Sequence, residues 1–218
     1  MSTMSPKPAD PAVRTGLIEA AARVLAEEGP KALTTRRLAH EAGTSTMAVY
    51  TYFGSMDEVW HAVRKEGFAR LVAHLDATAD LTDPVAGLAA GGAAYLANGL
   101  ANPHLYRAMF LERHEGPDAG NDTFQRLVDA VRRCVEAGRF RQVEPIRSLG
   151  WAVQLWTMRH GMVSLAIAEL LPAEHLPLHF ADMSQCLFVG YGDDPEAARR
   201  SVDLAMRDHW PAEPANAS

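Results

Sequence analysis

Breakers divide this chain at Gly29-Pro30, Gly43, Asp83-Pro84, Asn102-Pro103, Gly116 to Gly120, Pro172 and Pro177. Between them no segment sustains the apolar-polar alternation of a strand, and Ala, Leu, Arg and Glu dominate. An all-α fold follows. From Pro11, a first-turn proline, Leu17, Ile18, Ala21, Val24 and Leu25 fall at helical spacing until Gly29-Pro30 ends the run. Thr34 precedes a short helix with Leu38, Ala39 and Ala42 that closes at Gly43, and Ser45 caps a third over Thr46 to Tyr52. Ser55 caps a longer fourth from Met56 towards Ala79. Further helices are predicted over Val85 to Ala101, Asn102-Pro103 to Phe110, Asp122 to Ala137, Ile146 to Leu171, Phe180 to Val189 and Pro195 to His209, before a Pro/Ala tail. The Ile146 to Leu171 segment is apolar nearly all round, which predicts a buried central helix.

The 218 residues are 48% hydrophobic and 22% charged, the balance of a globular chain with a real core. Cys134 and Cys186 match no metal or redox spacing, so a reducing, cytosolic compartment is expected, with both as buried small hydrophobes. No apolar run precedes Ile18 as a secretory signal requires. The longest stretch without a polar residue, Val85 to Ala97, is shorter than the ~18 residues of a membrane span, so no membrane partner is expected.

Charge is unevenly spread. Residues 1 to 56 carry six basic side chains (Lys7, Arg14, Arg23, Lys31, Arg36, Arg37) against five acidic ones, a balance of +1; the rest carries −7 of the overall −6. Any contact with a polyanion therefore belongs to the first segment.

That segment holds the informative run, LTTRRLAHEAGTSTMAVYTYF from Leu33 to Phe53. Helix, tight turn at Ala42-Gly43-Thr44 and second helix is a helix-turn-helix layout, with glycine permitting the backbone that aims the third helix away from the second. The exposed face would offer Thr44, Ser45, Thr46, Met47, Thr51 and Tyr52 to base edges or phosphates, with Ala48 allowing close approach. Thr34, Thr35, Arg36 and Arg37 open the second helix, whose amides suit a phosphate. A helical hairpin buried in a larger bundle would instead show Leu or Ile where Thr and Ser stand.

These residues resemble the DNA-binding head of the TetR family, with pattern T-x-R-x-L-A-x-x-A-G-V-S-x-G-x-L-Y-x-H-F-x-S-K-x-x-L. Here it reads Thr34, Arg36, Leu38, Ala39, Ala42, Gly43, Ser45, Tyr50, Tyr52, Phe53 and Ser55. The resemblance implies a homodimeric transcriptional regulator, usually a repressor released by a small-molecule inducer. It makes Tyr50 and Tyr52 phosphate-contacting aromatics and Thr34 the phosphate-binding cap. Three positions depart from it: Met56 stands for the usual lysine and removes a phosphate contact, Thr44 for an apolar turn residue, and Met47 for glycine. Lys7 and Arg14 on the N-terminal arm are candidates to make up the affinity. Trp156-x-x-x-His160-Gly161 looks like the Trp-His-Gly variety of the family's C-terminal domain over about one helix. On this reading residues 1–55 bind double-stranded DNA at a palindromic operator, and 56–218 dimerise and sense a ligand.

A sensing body needs a cavity between facing helices. Tyr95, Tyr106, Met109 and Phe110 are candidates to line it, with Trp151, Leu155 and Met158 from an i, i+4, i+7 stripe that continues to Met162. Arg159 needs a partner or the surface, and is the candidate for reading an anionic inducer. His160 is taken as a packing residue. Dimerisation is expected through the helices after Glu144, because the last two carry apolar faces, Leu187, Phe188 and Tyr191 with Val202, Leu204 and Ala205. No cofactor or metal is called for. Glu112-Arg113-His114-Glu115 is read as a solvated helix end, and the chain lacks H-E-x-x-H, G-x-S-x-G and P-loop motifs. The alternatives are an activator or ligand-independent regulator of the same fold, an all-α enzyme, or a helical adaptor that binds only protein.

Overall fold

The computed structural model describes residues 10–78, 81–110 and 120–210. Ten α-helices account for them: α1 (Pro11–Glu28), α2 (Thr35–Glu41), α3 (Thr46–Phe53), α4 (Met56–Asp76), α5 (Pro84–Ala101), α6 (Pro103–Phe110), α7 (Asn121–Glu136), α8 (Pro145–Ile167), α9 (Leu176–Tyr191) and α10 (Pro195–His209). Among the described residues there is no strand, and no helix is long and apolar enough to cross a membrane. The Glu112 to Glu115 cluster, Lys7 and the C-terminal tail lie outside the described residues.

The chain forms two compact units, and the break falls inside α4, after Phe68. The first comprises residues 10–68 together with α6, at 102–110; the second comprises the remaining described residues. The sequence places its boundary at 55/56 and α6 with the body. Packing explains the difference: Leu105 and Ala108 of α6 belong to the same buried cluster as Leu17, Ile18, Val24, Leu38, Val49, Phe53, Val59 and Val63. Arg107 also donates to the Ala26 carbonyl of α1 at 3.4 Å. At roughly 1.5–3 kcal/mol for each fully buried large apolar side chain, this core is what orients the short α2 and α3, neither long enough to persist alone.

In the second unit the most buried helix is α5, whose Val85, Leu88, Ala89, Ala93, Leu96 and Gly99 are among a dozen buried positions. The expectation that α8 is the buried central helix is overturned. One face of α8 is core (Trp151, Ala152, Leu155, Met158, Met162, Val163), whereas Ile146, Leu149, Val153, Trp156 and Leu165 stand exposed. The helix also stops at Ile167 rather than Leu171, with Glu169 taking a positive φ of 58°. In turn α9 starts at Leu176, one turn before the expected Phe180, with Pro177 in its first turn, where its missing N–H costs nothing.

The α10 face expected to pair copies is core instead. Val202 and Ala205 are buried against the protomer, as are Phe188 and Tyr191 of α9. Arg139, after α7, ties this unit together: Nε and Nη2 donate to the two carboxylate oxygens of Asp193 at 2.7 and 2.8 Å, and Nη1 donates to Asp83 Oδ1 at 2.8 Å. Ser201 of α10 donates to Asp83 Oδ2 at 2.5 Å and accepts from Arg139 Nη2 at 3.0 Å. Cys134 is buried, its thiol pushed up to about 12 mainly by that burial, but Cys186 is exposed, contrary to expectation.

Candidate DNA-binding face and sensor residues

The turn between α2 and α3 is built as its sequence requires. Gly43 sits at φ +61°, a backbone region costly for other residues, and Thr44 N–H donates back to the Ala39 carbonyl at 2.9 Å. Thr34 Oγ1 accepts the Arg37 N–H at 3.2 Å and Ser45 Oγ the Ala48 N–H at 3.1 Å, so both helices start on side-chain caps. Each such cap contributes about 1 kcal/mol. Gly54, at φ +75°, closes α3 and Ser55 Oγ opens α4 by accepting the Glu58 N–H.

Fixed this way, α3 buries Val49 and Phe53 and turns its other face outward. Thr46, Thr51 and Ser45 are exposed, Met47 is 69% exposed and Tyr50 52%. Large side chains left in water on a helix with a complete inner face contribute nothing to the head's core. Thr44 is half-buried in the turn. Tyr52 does not share the outward face: it packs against the head's core, as does Met56. The period of α3 separates the two tyrosines, two residues and so about 200° apart.

The basic side chains divide as well. Arg37 is held by Glu28 at 2.6 Å and Glu41 at 2.8 Å, and Arg23 by Glu41 at 2.8 Å. Their hydrogen bonds, Arg23 first and Arg37 next, lower the Glu41 pKa, so this cluster is neutralised within the head. Arg36 is exposed and has no carboxylate partner among the described residues, beside Thr34 and the half-buried Thr35 at the start of α2. Arg14 lies over the Phe53 ring, 5.3 Å from its centroid, which brings a cation from α1 to the end of α3.

The eight predicted sensor residues fall into both units. Tyr106, Met109 and Phe110 of α6 are in the first, with Phe110 edge-on to Phe68 of α4 at 5.8 Å and 4.8 Å from Tyr106. A Cβ at Gly67 would overlap the Met109 sulfur, so α4 and α6 touch there through the missing side chain. Tyr95, Trp151, Leu155, Met158 and Arg159 are in the second. Trp151 stacks on Tyr191 at 4.7 Å, with Phe140 edge-on at 6.0 Å, an aromatic core cluster rather than an open wall. Leu155 is fully buried. Tyr95 Oη lies 3.4 Å from His160 Nδ1, and burial lowers the His160 pKa, in keeping with a packing role.

One concavity the sequence did not disclose is a groove of about 430 Å³ between α8 and α9, lined by Val153, Gln154, Thr157, Met158, Met183, Cys186 and Leu187. Of the predicted sensor residues, Met158 lines it. The sequence signal for it is the apolar outer face of α8, which hydropathy alone cannot tell from core.

A capped helix-turn-helix with an exposed second helix, set on an all-α body, defines a DNA-binding regulator of transcription. Two family models match: that of the bacterial regulatory proteins of the tetR family over residues 17–63, and that of the tetracyclin repressor-like C-terminal domain over residues 88–187. The chain belongs to the TetR family of transcriptional regulators. The C-terminal likeness therefore extends well beyond the single helix around Trp156. No curated protein matches the chain. Solved structures share its fold. One is a protein of unknown function from Rhodococcus sp. RHA1, with TM-score 0.71 and 23% identity, covering 87% of this chain and 100% of that one. Another is the TetR family transcriptional regulator PfmR from Thermus thermophilus, with TM-score 0.61 and 23% identity, covering 89% and 95%. A third, the fatty acid degradation regulator FadR from Bacillus halodurans, has TM-score 0.72 and 18% identity, covering 86% and 100%.

Proposed function

We propose that the chain is a cytosolic, homodimeric repressor that binds a palindromic operator through its first 55 residues and is released when the rest of the chain takes up a small-molecule inducer. The observation that carries this reading is the outward row of α3, Thr46, Met47, Tyr50 and Thr51, set beside the capped start of α2 with Thr34, Thr35 and the exposed Arg36, which has no carboxylate partner among the described residues. Side chains of the first group reach base edges and phosphates in a major groove; those of the second position the head on the phosphate backbone. Tyr52, packed inward, supports α3 rather than reading DNA.

One short reading helix contacts few base pairs, so specificity calls for two half-sites about one helical turn apart, read by two copies. The outer face of α8 with α9 supports the pairing: Leu149, Val153, Trp156, Met183 and Val189 are exposed around an apolar groove, and a second copy would cover them. Transmission to the head would run through α4, which is continuous across the two units, and the junction of α5 with α6. Footprinting of the purified protein on genomic fragments tests the reading. A protected two-fold symmetric site, lost in Tyr50→Ala at unchanged melting temperature, is expected. Sequence-independent binding alone would refute it.

A further inference from the structure

Arg159 of α8 is 5% exposed, yet among the described residues its one hydrogen bond runs from Nη2 to the Leu88 carbonyl of α5 at 2.8 Å. Its Nε is buried without an acceptor, and no carboxylate among the described residues pairs with it. Arg139 of the same unit shows the usual solution, two carboxylates around one guanidinium. Burial draws the Arg159 pKa down to about 10, with Tyr95 and Tyr191 opposing, so the group is still a cation at neutral pH. A buried charge with a single carbonyl partner is poorly compensated, and a methionine would fill the same space at lower cost. The surroundings have also been shaped to admit it. Gly92 of α5 faces Nε, where a Cβ would come within 2.8 Å of Nε and 2.6 Å of the Phe180 ring of α9. Glycine there lets the guanidinium and the ring meet over one bare stretch of helix.

We propose that Arg159 is the counter-charge for an inducer bearing a carboxylate on an apolar body, taken up between α5, α8 and α9 where Phe180 now lies over Gly92. This rests on the reading of the second unit as a sensor and names its ligand class. The free Nε edge suits a planar carboxylate, which accepts from two guanidinium N–H groups side by side. Leu88, Phe180 and the bare helix at Gly92 suit the apolar remainder. Because Phe180 must leave Gly92 for the carboxylate to reach Nε, the ligand binds only the rearranged packing of α9 on α5. That difference is what a ligand needs in order to shift a conformational equilibrium.

The test titrates the full-length protein with acetate, octanoate, dodecanoate, benzoate and phenylacetate, and with octanamide and benzamide as uncharged counterparts. Binding is read by calorimetry and thermal melting, and operator release by fluorescence anisotropy. At least one longer or aromatic carboxylate should bind wild type, its amide should not, and Arg159→Met should weaken it on the order of thirtyfold or more. Arg159→Met should fold at least as well as wild type and bind operator equally. Arg159→Lys, which keeps the charge without the planar edge, supplies the comparison should the methionine variant not fold, and should also lose affinity. The proposal is overturned if acid and amide bind alike, if the variants bind like wild type, or if no carboxylate in the series binds. Carboxylate binding without operator release would sustain the anion site and overturn the sensor reading instead.

Discussion

Removing Arg139 should cost the second unit more stability than any other surface-reaching residue. The side chain bonds both oxygens of Asp193, one of Asp83 and the Ser201 hydroxyl, so from just beyond α7 it joins the start of α5, the turn between α9 and α10, and α10 itself. In Arg139→Ala the Asp193 carboxyl, with 1% of its side chain exposed, is left in a dry site with its cation gone. Breaking a buried pair in this way costs about 3–5 kcal/mol, and because Arg139 itself is partly open to water the lower end, about 3 kcal/mol, applies. For a chain of this size that is a fall of roughly 6–12 °C in Tm. Thermal unfolding by circular dichroism at fixed protomer concentration measures it. The companion Asp193→Asn in the same chain should restore part of the loss, since no uncompensated charge then remains, with a coupling of about 0.5–3 kcal/mol. The pH dependence is a second check. Burial pushes the Asp83 carboxyl up, but the Ser201 hydroxyl, the Val85 amide and Arg139 together outweigh it and hold the pKa below its ordinary 3.8. A depressed carboxylate adds stability that is complete above its unfolded pKa and is lost as pH falls through the folded one. Wild type should therefore keep this increment down to about pH 4 and lose it below. Arg139→Ala melting within about 2 °C of wild type at pH 7 would show that the network contributes nothing and that helix packing alone holds the unit.

The DNA face gives a paired expectation: Arg36→Ala should lower the slope of log affinity against log salt by about 0.9 with the fold intact, whereas Arg37→Ala, which takes from Glu28 its arginine and leaves Glu41 with Arg23 alone, should lower melting temperature. Anisotropy titrations over a salt series, with melting curves alongside, separate the two, and equal effects would mean that the division of the arginines is wrong. Met56→Lys should tighten operator binding and steepen that slope by about 0.9 only if the longer side chain escapes the head's core, where Met56 packs, to reach a phosphate; an unchanged slope would leave residue 56 as packing. Val153→Glu should halve the mass seen by light scattering at micromolar concentration, and a dimer that survives it would move the interface off α8. Gly92→Ala should destabilise by about 1–3 kcal/mol through overpacking against Phe180 and Arg159, read by denaturant unfolding, and a neutral result would mean that α5 and α9 have slack there.

The head was the more legible part of the chain because its structure is local. Thr34 and Ser45 bond amides three residues on, Gly43 sets one turn, and Val49 and Phe53 face one side of a single helix. Spacing alone carries that information. What escaped is nonlocal. That α6 belongs with α1 depends on Leu105 and Ala108 meeting residues some eighty positions earlier, and the Arg139 network joins Asp83 to Asp193 across more than a hundred. Nothing in the neighbourhood of Arg139 distinguishes it from the exposed Arg132 or Arg133 on α7.

The two apolar faces of α8 escape the sequence for a different reason, one that bears on function. Hydropathy reports which side chains avoid water, not which molecule shields them. Trp151, Leu155, Met158 and Met162 are shielded by their own protomer; Leu149, Val153 and Trp156, equally apolar, are shielded only in part. A helix that is apolar on both faces is either central to one chain or shared between two, and period and composition are the same in both cases. The α5 sequence resolves the ambiguity in hindsight: its Ala and Gly residues allow helices to approach from every side, so the central position in the unit was already taken. With α5 at the centre, the second apolar face of α8 is left uncovered by the protomer, and the proposed dimer, which would present two reading helices a helical turn apart, has a use for it.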